Sequence, residues 1–130
     1  MPNIANMTVK KADGVTDIVY AFVNGASGSA PAVWRSPVGA APAHKAELRA
    51  KSTSNQANTV RRLEIVYAFP QTVTGTDGTV TIANRGSLTL SGVIPQSMPQ
   101  TEINEMVHQG LNLFAHSLTK SELTEGYAAS

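Results

Sequence analysis

The side chains able to do chemistry in this chain are mostly cations, and they are set at strand spacing. In the stretch 44–51, Lys45, Glu47, Arg49 and Lys51 alternate with Ala46, Leu48 and Ala50. In 59–69, Arg62 and Glu64 share one parity, while Leu63, Ile65, Tyr67 and Phe69 share the other. In 78–93, Arg85, Ser87, Thr89 and Ser91 alternate with Val80, Ile82, Leu88 and Leu90. Period-two alternation marks half-buried strands, so each stretch predicts one apolar face and one wet face carrying cations and hydroxyls. Guanidinium and ammonium groups neutralise phosphates, and single-stranded RNA adds base edges that such a surface can read. Set against this, the plain reading is a solvated sheet face, on which Glu47 and Glu64 pair with neighbouring arginines.

Catalytic chemistry has little to stand on. The three histidines, His44, His108 and His116, show no metal-ligand spacing, and the last two lie two helical turns apart. No HExxH, phosphate-cradling glycine loop or GxSxG occurs. With no cysteine, thiolate metal sites and disulfides are excluded. The expectation is a non-enzyme without cofactor or metal. Trp34 could stack a base, but a core or interface role suits it better.

These cations need a frame. At 130 residues the chain fits one domain. A hairpin over 1–23 turns at Asp13-Gly14, strands fill 32–93, and helices occupy 101–125. The predicted class is α+β: an N-terminal β-hairpin, an antiparallel meander and C-terminal α-helices. Ile103, Met106, Val107, Leu111, Phe114 and Leu118 recur at helical spacing. Thr101 is placed as the N-cap, Glu102 and Glu105 in the first turn, and a second helix over 119–125 ends at Gly126. Gly110, inside the stripe, costs roughly 1 kcal/mol relative to alanine. Its use would be to admit another backbone. A helix of this length covers about half of such a sheet, so a bare apolar patch should remain, and the expected cover is a second chain.

Net charge is +1, but it divides unevenly. Residues 35–99 carry seven basic groups against three acidic ones, and residues 100–130 carry one against four. Cationic strands and anionic helices suggest one face toward a polyanion and the other toward solvent. No apolar run approaches the ~20 residues of a membrane span. The N-terminus lacks the basic-then-apolar order of a secretion signal, so Asn6-Met7-Thr8 reads as a chance sequon in a soluble, cytosolic product.

The order of elements resembles the coat proteins of single-stranded RNA bacteriophages. Ala32-Val33-Trp34 with Lys45 beyond the next loop is similar to the family's early Trp and lysine-bearing strand. The strand ending at Pro70, the last strand 85–95, Gln109-Gly110-Leu111 and the tail from Glu125 add to the resemblance. It implies an interlocked homodimer with a joint ten-stranded sheet, built into a T=3 icosahedral virion around genomic RNA. Synthesis would be in the bacterial host cytoplasm, and a single-copy maturation protein would be a further partner. It also implies an RNA hairpin serving as translational operator and packaging signal. Position by position, the RNA face would be Lys45, Glu47, Arg49, Arg62, Glu64, Arg85, Ser87, Thr89 and Ser91. The dimer seam would use Ile103, Met106, Val107, Gly110, Leu111 and Phe114. Some members carry small hydroxyls where this chain has Glu47 and Arg49, and an aromatic near Ser87, so the hairpin recognised would differ. The alternative is a dimeric RNA-binding translational regulator that forms no shell.

Overall fold

A computed structural model describes residues 2–27 and 30–130. Six strands lie in sequence order in one antiparallel sheet: β1 (Met7–Lys10), β2 (Asp17–Asn24), β3 (Ala32–Arg35), β4 (Glu47–Ser54), β5 (Val60–Thr74) and β6 (Val80–Pro95). Two helices follow, α1 (Gln100–Phe114) and α2 (Ser117–Glu125). The hairpin, meander and helical tail thus stand as the alternation predicts. The first half of β2 pairs with β1 and its second half with β3, so the hairpin extends the sheet at one edge.

The Asp13-Gly14 turn forms, and a second Asp-Gly turn, Asp77-Gly78, joins β5 to β6. Gly14 and Gly78 adopt φ of 72° and 84°, a region glycine enters without steric cost. Asp13 accepts hydrogen bonds from the Val15 and Thr16 amides and the Thr16 hydroxyl. The Thr16 hydroxyl above all, then the two amides, lowers the Asp13 carboxyl pKa to about 2. A depressed carboxyl favours the fold above its unfolded range, and that contribution fades as pH falls through the folded value. An NMR titration is therefore expected to find Asp13 still ionised at pH 3. A midpoint near 4 would show that the turn does not hold.

Several boundaries move. Residues 42–44 form a single 3₁₀ turn after Ala41, so β4 starts at Glu47 and runs on to Ser54, three residues past the predicted stretch 44–51. Helix α1 is capped at Pro99, which places Thr101 inside it and leaves Glu102 as the acidic residue of the first turn. His116 is the N-cap of α2 and accepts from the Leu118 amide, so His108 and His116 do not share one helix. Gly126 ends α2 with φ of 79°, as its position predicts.

A larger correction concerns β6. Its register against β5 shifts between Gln71 and Thr72, which pair with Asn84 and Ile82 and leave Ala83 unopposed. One extra residue reverses the parity of everything beyond it. Val80 and Ile82 therefore lie on the opposite face from Leu88 and Leu90.

Few residues are buried. The apolar set is Ala32, Val33 and Ala46, joined by Ser36 and Pro70 where the 3₁₀ turn lies against β5. No residue of either helix is buried. The accessible surface is 9779 Å². A compact monomer of this mass would expose about 6,600 Å², so roughly 3,200 Å² is in excess.

Candidate nucleic-acid interface

The pairing register arranges the predicted site residues in rows across neighbouring strands. Arg49 lies opposite Val66, and Val66 opposite Thr89. Glu47 lies opposite Ala68, and Ala68 opposite Ser87. Lys51, Glu64 and Ser91 form the next row, then Thr53, Arg62 and Val93. Arg85 pairs with Pro70 beyond them. Directly opposed residues share a face, so Glu47, Arg49, Arg62, Glu64, Arg85, Ser87, Thr89 and Ser91 occupy one surface. Neighbouring strands are about 4.8 Å apart, so these rows make a continuous cationic and hydroxyl-bearing field. Lys45 stands apart. It follows the 3₁₀ turn, outside β4, and is half-buried beside Gly39.

Two cations outside the predicted set belong to the same surface. Lys51 follows from the strand's parity. Arg35 does not, because a four-residue strand carries too little alternation to orient it. The structure pairs Arg35 with Glu47 across β3 and β4. Its Nε lies 3.5 Å from one Glu47 oxygen, while Arg49 Nε donates to the other at 2.6 Å. Glu47 is thus engaged inside the protein rather than free to meet a ligand.

The opposite face is apolar and open. Met7, Val9, Ile18, Tyr20, Leu48, Tyr67 and Phe69 line a trough of about 730 Å³. Tyr20 and Tyr67 share a 2.7 Å hydroxyl hydrogen bond inside it, with edge-on rings. Burial first, and then that bond, raises the Tyr67 pKa, so its hydroxyl stays neutral, while Lys10 and Lys11 also line the trough. Phe22, Leu63, Phe69 and Leu88 remain exposed on this face. Trp34 lies here too, opposite Phe22 and Leu48, with its indole N–H donating to the Ala5 carbonyl. It is tied into the protein, on the side away from the cations.

The protein's own α1 does not cover this face. It meets the sheet only at its start, where Ile103 and Met98 border Arg61 and Ile94. Ile103, Val107 and Gly110 are half-buried, whereas Met106, Leu111 and Phe114 stand exposed. A Cβ added at Gly110 would meet nothing within 4 Å. The predicted close approach there is not made by this chain to itself.

No family model matches the chain, and no curated protein does. Solved structures match over nearly its whole length. A virus-like particle of Beihai levi-like virus 21 aligns with a TM-score of 0.84 at 19% identity, covering 99% of each chain. A virus-like particle of bacteriophage NT-214 gives 0.84 at 13% identity, over 99% of this chain and 100% of that one. The protein capsid of bacteriophage GA gives 0.76 at 16% identity, over 95% of both. Identity this low speaks for the fold alone: a six-stranded antiparallel sheet followed by two C-terminal helices, as in these particle subunits.

Proposed function

We propose, from the coat-protein fold that this chain shares with levi-like and related RNA bacteriophages, that it is a capsid subunit. Two copies dimerise through the open apolar face, each laying its helices over the other's strands. Dimers close into a virion shell, with the cationic face of the sheet turned inward to genomic single-stranded RNA and the acidic helices outward. The same face takes an RNA hairpin of the genome as operator and packaging signal. The observation that carries this reading is the match of 99% of the chain to subunits of virus-like particles. The division between a cationic face and an uncovered apolar one supports it independently. Nothing in the site calls for a catalytic step.

Negative-stain microscopy of the purified protein tests the reading. Closed particles of uniform size are expected. A dimer that never forms particles would leave only the RNA-binding regulator. Replacing Arg49 and Arg62 together by glutamine is expected to lower the RNA content of particles while assembly persists. Each lost phosphate contact removes about 0.7 from the salt dependence of single-strand binding. The ratio of absorbance at 260 and 280 nm reads the outcome, and an unchanged ratio overturns the inward placement of these arginines.

A further inference from the structure

We infer that Arg35 and Arg49 form a paired phosphate clamp on the RNA face, with Glu47 as the residue that positions both. The inference rests on the RNA-binding reading above and assigns a contact to Arg35 that strand parity alone does not. Glu47 is the least exposed member of the group: its side chain is 17% exposed, against 33% for Arg35 and 58% for Arg49. Each of its oxygens faces one guanidinium, and each guanidinium turns its Nε edge to it. Arg35 Nε is itself buried and has this ion pair but no hydrogen bond.

That geometry leaves the other donors free. A guanidinium carries five N–H donors, four of them on its terminal nitrogens. Among the described residues, no hydrogen bond within the protein uses the terminal nitrogens of Arg35 or Arg49. Two forks are therefore held by their edges and aimed by one carboxylate. Arginine forks bind phosphate oxygens bidentately, and holding them in advance reduces the ordering cost of binding. The group carries a net charge of +1, enough for a phosphate without the strong non-specific field of two bare arginines.

The yoke makes a distinctive prediction. If either arginine is lost, Glu47 can close with both oxygens on the one that remains and take its terminal nitrogens. One replacement then removes both phosphate contacts. Binding of the full-length protein to a fluorescently labelled, unstructured oligouridine, followed by anisotropy across a salt series, reads this directly. Arg35→Gln and Arg49→Gln are each expected to lower the slope of log K against log salt by about 1.4, and the double variant by no more. In the Glu47→Gln background each single replacement should lower it by about 0.7 and the double by about 1.4. Lys120→Gln, on α2, should leave it unchanged. Should Arg35→Gln fail to fold, Arg35→Lys keeps the charge without the fork and is expected to lower the slope by about 0.7.

A slope indifferent to either Arg35 replacement overturns the clamp. Independent steps of 0.7 in both backgrounds overturn the positioning role of Glu47. Binding of oligouridine that the unmodified protein does not make, or makes without salt dependence, overturns the RNA-binding reading and the clamp with it.

Discussion

Urea unfolding of the purified protein is expected to move with protein concentration, because one chain leaves its helices without buried residues and its apolar sheet face open. Among the described residues, the buried apolar ones, Ala32, Val33, Ala46 and Pro70, do not amount to a core. A 15-residue helix with no buried residue is marginal in water, since nucleation is costly and packing supplies most helical stability. The excess of roughly 3,200 Å² per chain, about 6,400 Å² for two, lies at the upper end of what obligate dimers remove from water. Dissociation and unfolding should therefore be one event. For a two-chain equilibrium a tenfold rise in concentration adds about 1.4 kcal/mol to apparent stability. With a urea dependence of about 2 to 3 kcal/mol per molar, the midpoint should rise by roughly half a molar per tenfold. Circular dichroism at two concentrations measures it in the disassembled protein. A stationary midpoint, with a monomer's mass by sedimentation, would overturn the dimer and the shell built from it.

What could be read in the residues, and what could not, divides along physical lines. The strands β4 and β5 were legible because one face is apolar and the other charged, which leaves a clean period of two. The Asp-Gly turns and Gly126 were legible because so few residues accept positive φ. The parity of β6 was not, because Val80 and Ile82 continue the same even-numbered pattern as Leu88 and Leu90. Only the partner strand's register exposes the extra residue at Ala83. The start of β4 slipped because Ala43-His44-Lys45 reads as continuing alternation, while Pro42 opens a 3₁₀ turn instead. At the site, Glu47 and Arg49 were evident as one face of a strand. The engagement of Glu47 by Arg35 was not, because it joins residues twelve apart through strand pairing. Ion pairs between strands are properties of register, and register is settled by the sheet as a whole.

Replacing Gly110 with leucine is expected to weaken the dimer, and the sign of the change separates the two ways this helix could be used. In the isolated chain the position is open: a Cβ there meets nothing within 4 Å. Its backbone is helical and requires no glycine conformation. On helix propensity alone, Gly110→Ala and Gly110→Leu would each stabilise the protein by roughly 0.5–1 kcal/mol. A lone chain would accept both gladly. The residue nevertheless falls among Ile103, Met106, Val107, Leu111 and Phe114, a stripe that meets its own sheet at Ile103 and stands exposed at Met106, Leu111 and Phe114. Packed helices approach to 8–10 Å, and the lower end of that range requires small residues at the crossing. A leucine at such a crossing costs about 1–3 kcal/mol in overpacking. In a two-fold dimer the same substitution enters twice, so the penalty reaches roughly 2–6 kcal/mol, a weakening of about 30-fold to 10⁴-fold. Gly110→Ala, adding one methyl, should fall between. Sedimentation equilibrium on the three proteins orders them directly. A leucine variant that dimerises as tightly as the unmodified protein and melts at a higher temperature would place Gly110 on an outer surface of the helix, and the seam would have to be sought on another face.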